Sequence, residues 1–70
     1  MLITKTTYWL YWTSGGSRLG RPYEGEDEAR AALAERLADP GASDVRLERL
    51  EPDVHSGRYA VWVLFPAPED

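Results

Sequence analysis

"RYAVWVLF", residues 58–65, is the stretch whose placement decides the fold. In an extended strand successive side chains point to opposite faces. Tyr59, Val61, Val63 and Phe65 then form one row, and Ala60, Trp62 and Leu64 the other. Both rows are apolar. A strand of that kind belongs in the middle of a sheet, where its faces are covered and its two edges are paired. The second rich stretch is "YWLYW", residues 8–12, inside ITKTTYWLYWT (3–13). Its threonines, aromatics and isoleucine suit a pleated surface.

The segments between these two strands are less apolar. "SGGS" at 14–17 carries paired glycines, which supply the positive φ angles of a hairpin turn. "RLGRPY" at 18–23 reads as the returning strand, and Pro22, with no N–H for a ladder, sends it to an edge. EDEARAALAERLA (26–38) is the clearest helix. Gly25 precedes it as N-cap, and Glu26, Asp27 and Glu28 complement the positive end of its dipole. Its expected buried stripe is Ala29, Ala32, Leu33, the stem of Arg36, and Leu37, with Leu33 and Leu37 as anchors. "DPG" at 39–41 ends it. "DVRLERLE" (44–51) alternates at Val45 and Leu47 and then slips to Leu50, which suggests a bulge or a strand end. "PDVHSG" (52–57) is a loop, and "PAPED" (66–70) a polar tail expected to be disordered.

The order is ββαββ in a single small α+β domain over residues 1–65, with a four-stranded sheet and one helix on one face. "RLGRPY" and "VRLERLE" are charged and are assigned to the edges. The strand order 2-1-4-3 follows, with the first and last strands adjacent and parallel. The alternative order 2-1-3-4 leaves residues 58–65 at an edge, where pairing with another chain becomes favourable.

Length and composition exclude several classes of function. A chain of 70 residues buries only about 60% of its unfolded surface, so its core is thin and partners are common. Cysteine is absent, which removes disulfides and thiolate zinc sites and fits a cytoplasmic protein. His55 is the single histidine, and the carboxylates are not clustered at ligand spacing, so no metal or cofactor is expected. Asp53, His55 and Ser56 carry the atoms of a catalytic triad, but neighbours in one short loop do not reach triad geometry. "SGGS" is explained by a turn without invoking a phosphate. The expectation is a protein that is not an enzyme. The amino terminus MLITKTTYWLYW is too short and polar in its apolar run for a signal peptide, and no stretch approaches the roughly 18 apolar residues of a membrane span. Seven of the eight basic residues are arginine, and alanine, glycine and proline are plentiful. GC-rich codons encode all of these, which points to a high-GC bacterium or one of its phages.

The formal net charge is −4 and uneven. Residues 1–23 hold Lys5, Arg18 and Arg21 and no acid, while residues 24–44 hold seven acids against Arg30 and Arg36. The acidic run from Glu24 to Glu28 is accounted for as a helix amino terminus facing water, or alternatively as a surface that docks on a basic partner.

One helix covers one face of such a sheet. Tyr8, Leu10 and Trp12, with the row from Tyr59 to Phe65, are assigned to it. That leaves Trp9, Tyr11 and Trp62 uncovered, with Leu64 beside them. With the faces reversed, Tyr8, Trp12 and Tyr59 are left out instead. Three or four large aromatics amount to roughly 500–800 Å², close to one partner's share of a standard interface. Three readings compete: coverage by loops or cross-strand stabilisation of the sheet, self-association as a homodimer, or a different partner. The reading adopted is a small non-catalytic interaction protein, accessory bacterial or phage-encoded. It binds, and by binding inhibits, a protein through Trp9, Tyr11 and Trp62 with Arg18 and Arg21 beside them.

The alternative is a nucleic-acid-binding module using the same aromatics and the Arg18/Arg21 hairpin, because aromatics on an open sheet beside arginines stack bases. Residues 8–38, with the aromatic strand "YWLYW", the Gly15-Gly16 hairpin, the return strand "RLGRPY" and a helix opening "EDEARAAL", also resemble the arm-type DNA-binding domain of phage tyrosine recombinases. That resemblance implies strands entering the major groove, with Arg18 and Arg21 at contact positions.

Overall fold

A computed structural model describes residues 5–67. The expected strand positions 3–4 and tail residues 68–70 lie outside that range. The elements run β1 (Thr7–Ser14), β2 (Ser17–Tyr23), α1 (Glu26–Ala38), β3 (Ala42–Asp53) and β4 (Arg58–Phe65). This is an α+β arrangement in the expected ββαββ order.

Gly15 and Gly16, at φ 56° and 80°, make the two-residue turn that joins β1 to β2. Positive φ at both central positions matches the right-handed twist of the strands. The ladder runs from Ser14 opposite Ser17 to Tyr8 opposite Tyr23. Helix α1 opens at Gly25 without a side-chain cap, so its orphan N–H groups rely on solvent and on the acids of the first turn. It closes where Asp39 N–H donates to Arg36 O at 3.2 Å. Pro40 follows, and Asp39 Oδ1 accepts from Gly41 N–H at 2.9 Å, turning the chain into β3.

The sheet order is β2-β1-β3-β4, and every pair is antiparallel. This corrects the expected order 2-1-4-3 and its parallel pairing of the first and last strands. The charged strand is central and the doubly apolar strand is an edge. Two physical reasons account for the reversal. Antiparallel ladders have straight hydrogen bonds and are slightly more stable per residue than parallel ones. The charges of β3 are also neutralised within the strand: Arg46 pairs with Glu48 on one face and Arg49 with Glu51 on the other, each two residues apart and so on the same side. A strand paired in this way need not lie at an edge.

Leu10 and Leu47 stand opposite each other at the centre, both fully buried. Trp12, Ala29 and Leu33 complete the core. Helix α1 packs on β3, β1 and β2 and does not reach β4. Leu37, expected to anchor the helix with Leu33, is 52% exposed. Arg36, whose stem was expected in the same stripe, lies over Trp12 instead, its guanidinium carbon 4.2 Å from the ring centroid, a cation–π contact.

The row pattern of β4 also differs from the expected one. Leu47 faces Phe65, but the next residue, Glu48, faces Val63. Leu64 is therefore an extra residue, a β-bulge that reverses the phase of the strand. Phe65 joins Leu47 on the helix side, while Tyr59, Val61 and Val63 lie on the opposite face. The slip expected at Leu50 is no defect in β3, since Leu50 is simply an open-face residue of a continuous strand.

Candidate interaction surface

Cross-strand partners share a face, so the register fixes which side each candidate occupies. The face away from the helix carries Trp9 opposite Pro22 and Glu48, and Tyr11 opposite Gly20 and Arg46. Leu50 stands opposite Val61, and Glu48 opposite Val63. The Trp9 and Tyr11 rings stack with centroids 6.0 Å apart and 15° between planes. They lie down rather than stand up. A Cβ built on Gly20 would meet Tyr11 Cδ1 at 3.0 Å and Trp9 Cε3 at 3.8 Å, so the rings spread across β2 over the one residue that has no side chain. Both are half-buried.

Arg18 sits beside them, 5.9 Å from the Tyr11 ring centroid. Its guanidinium donates to Asp44 O at 2.6 Å and to Thr13 Oγ1 at 3.1 Å. These bonds tie the β1–β2 hairpin to the start of β3, where Asp44 takes φ 49°. Arg46 is held by Glu48. Both arginines therefore work within the sheet, and their charges are partly compensated. Together with Asp44, Val45 and Pro66 they line a shallow, open depression.

The remaining candidates lie on the other side. Arg21 is opposite buried Leu10, on the helix side of β2, with its guanidinium 6.0 Å from the Tyr23 ring. Trp62 is opposite Arg49, which is opposite Tyr8, so Trp62 also faces the helix side. This corrects its expected position beside Trp9, which rested on adjacent β1 and β4 and an unbroken β4 alternation. The helix does not extend over it, and Trp62 is 53% exposed. Beneath it is Arg49, 6.0 Å from the ring centroid. Arg49 Nε lies 2.8 Å from Glu51 Oε1 but off the hydrogen-bond axis, and this buried nitrogen has no hydrogen-bond partner among the described residues. Of the five predicted contact residues, Trp9, Tyr11 and Arg18 come together and Arg21 and Trp62 do not join them.

The two most exposed apolar side chains of the sheet fall on β4, Val61 at 54% and Trp62 at 53%, followed by Leu19 of β2 at 42% and Tyr59 of β4 at 36%. Tyr59 and Val61, expected on the core side, are turned to the open face by the bulge at Leu64, and the edge position of β4, the alternative strand order, leaves them uncovered.

Among the described residues, no group of three or more His, Cys, Asp and Glu could hold a metal ion, and no helix is long and apolar enough to cross a membrane. Asp53 Oδ1 accepts from His55 N–H, and Ser56 Oγ accepts from Arg58 N–H. These two side chains shape the β3–β4 turn. Comparison with family models, curated proteins and solved structures gives no match.

Proposed function

We propose that this is a non-catalytic interaction protein of bacterial or phage origin that binds, and by binding inhibits, a protein partner through the open face of its sheet. One observation carries the reading: a single helix covers one face, and the other presents the stacked Trp9 and Tyr11 with Leu50, Val61 and Val63 alongside. The charges between the β1 aromatics and the β4 valines are the compensated pair Arg46 and Glu48, which suits a protein surface, where the centre of a contact is poor in free charge and rich in aromatics.

The nucleic-acid reading is less well supported. Counterion release needs free cations, whereas Arg18 is bound to Asp44 O and Arg21 points to the other side. The same division weakens the analogy with arm-type recombinase domains, which needs both arginines in one groove.

The test is capture from a high-GC bacterial lysate by immobilised wild-type protein, by a Trp9→Ala/Tyr11→Ala variant and by an Arg30→Ala control. A protein retained by wild type and control but lost with the double variant supports the reading, and each ring is expected to contribute about 2 kcal/mol as a hot spot. Retention by all three forms overturns it. A steeply salt-dependent shift with oligonucleotides, flattened by Arg18→Ala, would transfer the function to nucleic acid.

A further inference from the structure

The β1–β2 turn determines which backbone groups of β4 are free. In a two-residue hairpin the residues flanking the turn, Ser14 and Ser17, form a doubly hydrogen-bonded pair. Alternation then directs the N–H and C=O groups of Tyr8, Leu10 and Trp12 towards β2, and those of Thr7, Trp9 and Tyr11 towards β3. Through the partners of the latter, Leu50, Glu48 and Arg46, the phase carries into β3. Arg49 and Glu51 then bond to Trp62 and Ala60 of β4. Both sheet prolines agree with this phase. Pro22 directs its missing N–H out of the β2 edge, and Pro52 directs its own to the β1 side, beyond the last paired residue, Leu50. The groups that β4 turns outward are therefore those of Tyr59, Val61 and Val63.

The two edges of the sheet differ. Strand β2 is protected by Arg18, Arg21 and Pro22, the usual devices against edge pairing. Strand β4 has none of them from Tyr59 to Phe65. Among the described residues no charge, proline or helix covers it, and its bulge comes only at Leu64, near its end.

We infer that β4 pairs antiparallel with β4 of a second copy, about a twofold axis through Val61, to give a continuous eight-stranded sheet. Only this register places all three outward residues in doubly bonded pairs: Val61 opposite Val61 of the partner subunit, and Tyr59 opposite Val63 of the partner subunit, twice. It adds about six backbone hydrogen bonds. It also sets Trp62 opposite Ala60 of the partner subunit, so a large ring lies over a small residue on the side that α1 leaves open. Like charges do not meet, because Arg58 falls opposite Leu64 of the partner subunit. The contact is on the order of 500 Å² per copy, below the roughly 800 Å² per partner of a standard interface, which is the range of weak, reversible contacts. A twofold axis perpendicular to the sheet keeps both open faces on one side. The inference stands on the β4 edge and is independent of what the open face binds.

Sedimentation across a concentration series tests it, with Trp9 and Tyr11 left intact. A reversible monomer–dimer equilibrium is expected. Val61→Lys and Val61→Glu each should weaken it at least tenfold, since they bring like charges together across the axis. Mixing the two variants should restore a dimer by pairing opposite charges. Far-UV circular dichroism should remain unchanged, because Val61 is 54% exposed. A second arm uses the absence of cysteine. Val61→Cys places two thiols on backbones about 5.5 Å apart, and under mild oxidation it should cross-link faster than Val54→Cys in the exposed turn. A protein monomeric at all concentrations overturns the inference. So does a dimer indifferent to charge at Val61, a mixture that fails to re-form, or equal cross-linking at the two positions.

Discussion

Leu33 and Leu37 separate what a side chain contributes from what its spacing promises. Both lie on the helical stripe, yet Leu33 is 7% exposed and Leu37 52%. Leu33 enters the contact between α1 and the Leu10–Leu47 pair, where truncation leaves a cavity. Leu33→Ala is expected to cost about 2–4 kcal/mol, a large part of a small domain's stability. Leu37→Ala is expected to cost less than about 0.5 kcal/mol. Urea denaturation of the two variants measures both, and equal losses would mean that the helix packs one turn further along. Gly20 makes a similar point on the opposite face, where a missing side chain is what lets Tyr11 lie flat against the sheet.

At the scale of elements, α1 is held by its packing and has little end-capping of its own. Gly25 offers no side-chain cap, and the first turn depends on electrostatics. Glu26 accepts from Arg30 Nε at 2.8 Å. That hydrogen bond is the main cause holding the Glu26 carboxyl below its ordinary value of 4.5; desolvation opposes it, and the charges of Arg30 and Arg49 and a hydrogen bond from Tyr8 add to it. A carboxylate with a lowered folded pKa contributes stability that is present above its unfolded value and lost as pH falls through the folded one. Arg30→Ala should therefore raise the Glu26 pKa in an NMR titration and reduce the acid sensitivity of the helix. An unchanged titration would mean that the pair does not form in solution. The effect on stability is small, because both partners are solvent-exposed.

For the whole molecule, the balance of cover sets where contacts form. One helix spans three strands and stops short of β4, so burial declines from β1 to the far edge. Trp12 is 7% exposed and Trp62 53%. With the other two tryptophans replaced by phenylalanine, iodide should quench Trp62 strongly and Trp12 little, and Arg49 beneath the Trp62 ring favours the approach of the anion. Quenching of Trp62 should fall as protein concentration rises, because the ring is covered in the β4-paired dimer. Strong protection of Trp62 in a dilute monomer would contradict the exposed edge.

Local signals determined much of this protein. The Gly15-Gly16 turn, the acidic opening of the helix, its stop at Asp39-Pro40, the strand character of residues 8–12 and 58–65, and the edge position of Pro22 are all legible in the chain, because each rests on the conformational preference of a few adjacent residues. Only the tertiary structure decided the strand order, the side on which Trp62 lies and the exposure of Val61. Those outcomes turn on which strand pairs with β1 and on one extra residue, Leu64, opposite the step from Leu47 to Glu48. Charge suggested an edge for β3, but Arg46–Glu48 and Arg49–Glu51 neutralise it in place. Neither that pairing nor the phase of an alternating strand after a bulge is encoded by composition. Both depend on the register between strands, which exists only once the sheet has formed.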